Sequence, residues 1–127
     1  MVRCVAFDPQ KPNILASGSD DQTIKIWNIE SGACQSTLGV DAGYGGVQSV
    51  SFSPKDNVIA AGCADGKIYL VDALAGAVKS TLAGHNAPVT QVEFIDADTV
   101  VSSSNNRYDG TTRVWDVATG TQKTEFE

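Results

Sequence analysis

The sequence contains few of the residues that build metal or redox sites. Its 127 residues include one histidine and three cysteines. A single imidazole excludes a transition-metal site with several histidines within one chain. Cys4, Cys34 and Cys63 form no Cys-x-x-Cys pair, and their odd number prevents complete pairing in one chain. We therefore expect buried, reduced cysteines, no metal and no other cofactor.

Basic residues are outnumbered by acidic ones, which weighs against anionic partners. Nine lysines and arginines stand against 15 aspartates and glutamates, giving a formal net charge of −6. A chain of this sign gains nothing from the counterions of a phosphate backbone and is not attracted to an anionic bilayer. The composition thus disfavours nucleic acid and membrane surfaces as partners, and slightly favours basic proteins or peptides.

Long hydrophobic runs are also missing. No window approaches the ~18 consecutive apolar residues of a membrane-spanning helix, and residues 1–9 have no apolar core of the kind found in secretory signals. Hydrophobic residues nevertheless make up 42% of the chain, which is enough to build a core. We expect one soluble, intracellular domain located in the cytoplasm or the nucleus.

What the sequence does contain is a repeat with a spacing of 44 residues. Aspartates recur at this spacing at positions 21, 65 and 109, and glycines at positions 32, 76 and 120. Trp27 and Trp115 follow the same register, with Val71 between them. A fixed period of this length indicates that each copy is one supersecondary unit.

Each copy predicts four short β-strands and no helix. Alternating apolar residues, separated by turns rich in aspartate and glycine, define the strands. The predicted ranges are 2–7, 14–19, 23–28 and 33–38 in the first copy, 47–52, 58–63, 67–72 and 77–82 in the second, and 89–94, 99–104, 111–116 and 121–126 in the third. The chain is therefore predicted to be all-β.

Two segments of the repeat carry a recognisable motif. Residues 15–28 read LASGSDDQTIKIWN, and Gly84-His85 is followed by Trp115-Asp116 in the third copy. Both segments resemble the signature of the WD-repeat (WD40) family, and the resemblance extends over essentially the whole chain. It implies WD40-type β-propeller blades, each a four-stranded antiparallel sheet that is stabilised by stacking on its neighbours.

The repeat count predicts three blades, at residues 1–39, 40–83 and 84–127. A propeller typically closes with about 4–8 blades, and members of the resembled family usually have about seven. Three blades leave two broad apolar faces open to water. We therefore expect an incomplete propeller. It is completed as part of a longer one, by two copies that join head to tail into six blades, or by another protein that holds the arc.

The resemblance also implies a buried hydrogen-bond network within a blade, formed by a histidine, a serine, an aspartate and a tryptophan. The positions that match are His85, Ser102, Asp109 and Trp115 in the third blade, Ser17, Asp21 and Trp27 in the first, and Asp65 in the second. In the second blade Ala61 and Val71 stand where serine and tryptophan are expected. Extra residues at 105–108 lengthen the turn before the third aspartate.

Three other interpretations assign chemistry to these segments. Histidine, serine and aspartate at 85, 102 and 109 have the residue types of a catalytic triad. Residues 43–46 suggest a phosphate-binding loop, but the segment that follows is a predicted strand instead of a helix. Aspartates at 20–21 and at 96 and 98 lack the distal glutamate of a calcium loop. We prefer a structural or surface role for all of these residues, and predict that the protein is not an enzyme.

The exposed loops remain as a binding surface. In the resembled family, contacts concentrate beside the first-strand valine and before the turn aspartate. The candidate partner-binding residues are Arg3, Asp20, Tyr44, Gln48, Pro88, Thr90, Arg107 and Tyr108. Tyr44 and Tyr108 are the strongest anchors, because aromatic side chains dominate interface hot spots.

The function predicted on this basis is a scaffold or adaptor of a multiprotein complex. It binds protein or peptide partners through propeller loops, and other propeller blades are among its expected contacts. The alternative is a self-assembling unit that closes a ring with a second copy by head-to-tail association.

Overall fold

The structure is a computed structural model that describes residues 2–40, 46–104 and 110–126, and the regular structure of these residues is entirely β-strand. The strands are β1 Val2–Phe7, β2 Ile14–Ser19, β3 Thr23–Asn28, β4 Cys34–Gly39, β5 Val47–Phe52, β6 Val58–Cys63, β7 Lys67–Asp72, β8 Ala77–Ala83, β9 Gln91–Asp96, β10 Thr99–Ser103, β11 Thr112–Asp116 and β12 Thr121–Phe126. Within the described part, no helix is long and apolar enough to cross a bilayer.

The strands form three antiparallel sheets of four strands in sequential order. Sheet one contains β1–β4, sheet two β5–β8 and sheet three β9–β12, and together the described residues do not close a propeller. The all-β class and the three four-stranded sheets are confirmed. Each strand lies within two residues of its predicted bounds. The largest difference is at β9, because the Val89 amide donates to the Cys63 carbonyl of sheet two at 3.0 Å before pairing with β10 begins.

The outer hairpin of each sheet is closed by the same turn chemistry. In sheet two the Asp72 carboxylate accepts hydrogen bonds from the amides of Leu74 and Ala75, both at 2.9 Å. These two amides lower the pKa of Asp72. Gly76 completes the turn at a φ of 70°, a conformation that glycine adopts without strain. Asn28 and Asp116 occupy the equivalent positions in the other sheets, so the repeat in sequence is also a repeat of turns.

The three sheets stack in chain order. Strand β5 lies against β1 and β2, and β9 lies against β5 and β6. We call the face of a sheet that points toward the preceding sheet its front face, and the opposite face its back face. In sheet two the alternation of β6 sends Ile59 and Ala61 to the front face, into the core with sheet one, and Ala60 to the back face, into the core with sheet three. Sheet two is therefore buried on both sides.

The front face of sheet one has no such cover among the described residues. Val5 is 61% exposed, whereas its equivalents Val50 and Val92 in sheets two and three are 6% and 5% exposed. Phe7 is 67% exposed, and its two equivalents are 8% exposed each. Identical residues at identical strand positions thus differ only in whether a preceding sheet packs against them.

Candidate functional site

A buried hydrogen-bonded cluster lies between sheets two and three. Ser102 on β10 accepts a hydrogen bond from the Trp115 indole N–H at 2.8 Å, and its Oγ lies 2.7 Å from His85 Nε2. The histidine comes from the segment between β8 and β9. Gly84 allows this close approach, because a Cβ there would lie 2.9 Å from the Trp115 ring. The structure thus brings together three of the four residues predicted for the third blade.

The geometry of this cluster suits a structural role, in which hydrogen bonds hold one segment of the chain against a sheet. Ser102 is 1% exposed and His85 is 8% exposed, so a substrate carbonyl has no approach to the hydroxyl in this arrangement. The indole N–H also occupies an Oγ lone pair, which reduces the ability of the oxygen to act as a nucleophile. Hydrogen bonds in such a dry site fix the His85 segment to sheet three, since each buried polar group needs its partner. The fourth predicted member, Asp109, lies outside the described residues.

The first sheet repeats half of the cluster. The Trp27 indole N–H donates to Ser17 Oγ at 2.9 Å, but Trp27 is only half-buried, because it lies on the uncovered front face. Asp21 accepts from the Thr23 amide at 3.0 Å and from the Thr23 hydroxyl at 2.5 Å. The hydroxyl contact is the main cause of the lowered pKa of Asp21. These bonds hold Asp21 within its own hairpin.

The second sheet replaces the cluster with apolar packing. Ala61 and Val71 are fully buried in the core with sheet one, where a serine and a tryptophan stand in the other sheets. Asp65 accepts a hydrogen bond from the Tyr69 hydroxyl at 2.7 Å and one from the Lys67 amide at 2.9 Å. In this sheet the turn aspartate is therefore hydrogen-bonded by a tyrosine hydroxyl from β7.

Sequence reasoning missed Arg113, which is buried in sheet three. Its guanidinium donates to Thr111 Oγ1 at 3.1 Å and to Gln122 Oε1 at 3.0 Å, and it forms an ion pair with Glu125 at 3.4 Å. The signal was the alternation of β11, which places residue 113 on the same face as Trp115. A charged residue on the buried face of a strand indicates a buried cation that is held by hydrogen bonds or an ion pair.

The candidate partner-binding residues that the structure describes lie at one end of the three sheets, where β1, β5 and β9 begin. Arg3 and Asp20 are joined by an ion pair, and their side chains are 44% and 31% exposed. The Arg3 pKa is raised by this contact with Asp20. Thr90 is exposed, and Gln48 and Pro88 are half-buried. Tyr44, Arg107 and Tyr108 lie outside the described residues.

At this end of the sheets, the hairpins and the segments between sheets pack closely against one another. Gly46, at a φ of 67°, passes so close to sheet one that a Cβ would lie 2.3 Å from the Ser19 carbonyl oxygen. Gly66, at a φ of 85°, allows a similar approach between the hairpin of sheet two and the segment that contains His85. A Cβ at Gly66 would lie 2.8 Å from the His85 carbonyl oxygen. The hairpin of one sheet therefore contacts the segment that leads into the next. We name this surface, carrying Arg3, Asp20, Gln48, Pro88 and Thr90, the loop face.

The three cysteines do not share one environment. Burial raises the pKa of the Cys4 and Cys63 thiols at the interface of sheets one and two. The expectation that all three are buried is met by Cys63 alone, since Cys4 is half-buried and Cys34 is exposed at the start of the outermost strand of sheet one. Among the described residues, no further strand pairs with the outer edge of that strand. In the parts of the chain that the structure describes, no three His, Cys, Asp or Glu side chains meet in a way that would hold a metal ion.

Comparison with known proteins identifies the repeat. The profile of the family described as "WD domain, G-beta repeat" matches residues 1–28, 32–72 and 76–116. Protein SPA1-RELATED 3 of Arabidopsis thaliana is 39% identical over 108 residues, which cover 84% of this chain and 12% of that protein. The nuclear distribution protein nudF of Aspergillus flavus is 39% identical over 127 residues, covering 94% of this chain and 26% of that protein.

A third relative carries the repeat in its name. The WD repeat-containing protein RUP1 of Arabidopsis thaliana is 36% identical over 112 residues, covering 83% of this chain and 27% of that protein. The chain thus spans between 12% and 27% of the length of these relatives. Three matches to one family profile, three sheets and a serine–tryptophan pair in two of them all agree, and the chain belongs to the WD domain, G-beta repeat family.

Proposed function

We propose that this chain is a non-enzymatic interaction module of a multiprotein complex and that it binds a protein or peptide through its loop face. WD-repeat proteins generally act as protein-interaction scaffolds. The observation that carries the proposal is the loop face itself, where an exposed Arg3–Asp20 pair and Thr90 project from hydrogen-bonded sheet ends. Side chains mounted on an ordered backbone lose little additional freedom when a partner binds.

The charge of the chain indicates the chemistry of the partner. A formal net charge of −6 and the exposed carboxylates of Asp21 and Asp65 favour basic protein or peptide segments over nucleic acid or anionic lipid. The Ser102 hydroxyl is sealed inside the sheet interface, which supports a binding role over hydrolysis. We propose an intracellular location, in the cytoplasm or the nucleus, and the blade boundaries at residues 39/40 and 83/84 are part of the same proposal.

A matched pair of variants tests the loop face. In the test variant Arg3 and Asp20 are both changed to alanine, and in the control Lys55 and Asp56, an exposed pair of the same charges at the opposite end of sheet two, are both changed to alanine. Proteins that co-purify with the wild type and the control, quantified by mass spectrometry, should be lost with the test variant. Equal recovery with all three chains, at unchanged melting temperature, would show that partners bind elsewhere.

Self-assembly is a second candidate function, favoured by a specific observation. Val5 and Phe7 are more than half exposed on sheet one, whereas the equivalent residues of both other sheets are buried by a preceding sheet. A second copy of the chain that packs its sheet three on this face would bury them. Two head-to-tail contacts would then close a ring of six blades, within the range of known propellers.

A further inference from the structure

We propose that the pairing of two copies is specified by backbone amides. In the head-to-tail pair, the Gln91 and Glu93 side chains of one copy accept hydrogen bonds from the Val5 and Phe7 amides of the other. This inference rests on the self-assembly proposed above and names its partner, a second copy of this chain, together with the contact that sets its register.

The template for this contact occurs between sheets two and three. The Val92 amide of β9 donates to Ser49 Oγ of β5 at 3.2 Å, and the Phe94 amide donates to Ser51 Oγ at 3.1 Å. The first strand of a sheet has an edge that no strand of its own sheet covers. At this interface, side chains of the preceding sheet therefore supply the acceptors for two amides of the edge.

Strand β1 presents the same amides without acceptors. Val5 lies opposite Ser17, just as Val92 lies opposite Ser102, so the two amides point in equivalent directions. In residues 2–40, 46–104 and 110–126, no side chain accepts a hydrogen bond from the Val5 or Phe7 amide. Beside this edge, Val5, Leu15, Trp27 and Ile29 line an apolar cavity of about 350 Å³.

Strand β9 presents the matching acceptors. Gln91 and Glu93 stand at the positions of Ser49 and Ser51, as their pairing with β10 shows. Both are exposed on the back face of sheet three, where they line a groove of about 370 Å³ together with Val101. One copy therefore carries the donors with an apolar cavity, and also the acceptors with a groove of similar volume.

The spacing of the two surfaces explains why these acceptors are longer than serine. At Gly18 and Gly62 a Cβ would lie 2.6 Å and 2.8 Å from the nearest valine Cγ1 of the following sheet. The equivalent residue of sheet three is Ser103, whose side chain holds a docking sheet farther away. The oxygens of glutamine and glutamate lie two carbons beyond the position of the serine oxygen, which spans the wider gap. The two departures of sheet three from the internal template thus compensate for each other.

The first experiment establishes the geometry of pairing. Light scattering over a concentration series should show the wild type at about twice the 13.3 kDa of one chain. Val5→Glu blocks the front face and Val101→Glu blocks the back face, and both side chains are accessible enough for the fold to persist. Each variant alone should be monomeric. An equimolar mixture should regain association, because one intact front face then meets one intact back face.

Each other outcome overturns self-assembly in this form. A monomeric or polydisperse wild type shows that copies do not close a ring. A dimer that Val5→Glu abolishes and Val101→Glu leaves intact shows that two front faces pair with each other. Circular dichroism of each variant checks that its strands are retained.

The second experiment isolates the amide contact. Gln91→Ser with Glu93→Ser shortens both acceptors, and the dissociation constant of the dimer should rise by about tenfold or more. Adding Ser103→Gly to this double variant gives sheet three the residues that sheet two has at these three positions, and it should restore the affinity. Unchanged affinity in the double variant refutes the amide contact while leaving the dimer itself in place. Failure of Ser103→Gly to restore the affinity refutes the spacing argument.

Discussion

Ser102→Ala tests the buried cluster, because the repeat supplies its own control. Removing Ser102 Oγ leaves the Trp115 indole N–H without its acceptor and one nitrogen of His85 without its partner, in a site where the serine is 1% exposed. Each buried polar group that loses its partner costs about 1–3 kcal/mol, so we expect a loss of about 2–4 kcal/mol in the free energy of unfolding. This is a large share of the 5–15 kcal/mol that is typical for a domain, about 30% at the midpoints of the two ranges.

The matched control is Ser17→Ala in sheet one. It breaks one hydrogen bond, to Trp27, which is half-buried and can reach water, so the expected loss is below about 1 kcal/mol. Urea unfolding followed by tryptophan fluorescence measures both variants, and the dependence on urea concentration should be unchanged. Equal losses in the two variants, or no loss in Ser102→Ala, would refute the view that burial of the cluster determines its contribution.

Three further predictions follow from single contacts. Gly66→Ala should lower the melting temperature markedly, because its Cβ would lie 2.8 Å from the His85 carbonyl oxygen at a φ of 85°, while Gly39→Ala, with nothing within 4 Å, should not. A thiol reagent should label Cys34 rapidly in the folded protein and all three cysteines in urea, and rapid labelling of three in the folded state would contradict the burial of Cys63 and the partial burial of Cys4. Amides in its turn lower the pKa of Asp72, so its contribution to stability is present above the ordinary carboxyl pKa and is lost as the pH falls toward the lowered value. Asp72→Asn should therefore flatten the acid limb of a plot of stability against pH, and an unchanged limb would contradict this.

The repeat predicts the fold well because its information is local. Alternation of apolar residues and the aspartate–glycine turns define the bounds of each strand. The strands pair with their neighbours in sequence, so the order within each sheet also follows from the pattern. The proximity of Ser102 and Trp115 also follows from local order, because they lie on adjacent antiparallel strands and on the same face of the sheet.

Burial between sheets is not local, and sequence reasoning handles it less well. Val5, Val50 and Val92 occupy the same position in the repeat, yet their exposure depends on whether another sheet packs in front of them. Arg113 was missed by sequence reasoning, and its guanidinium is buried among polar groups of three other residues, two of them on the neighbouring strand β12. Cys34 is exposed because it lies on an outermost strand, where the apolar character of a thiol is not used for packing.

The middle sheet has a consequence for how the repeats diverge. Every residue of β6 is buried, so the strand has no side that faces water and no position at which an arbitrary side chain is tolerated. Side chains of β6 pack alternately into the core with sheet one and the core with sheet three, so a substitution there must fit one of two closed interfaces. In the second sheet, alanine and valine replace the serine–tryptophan pair of the other sheets. Both replacements are apolar, which is the kind of change that a fully buried site permits.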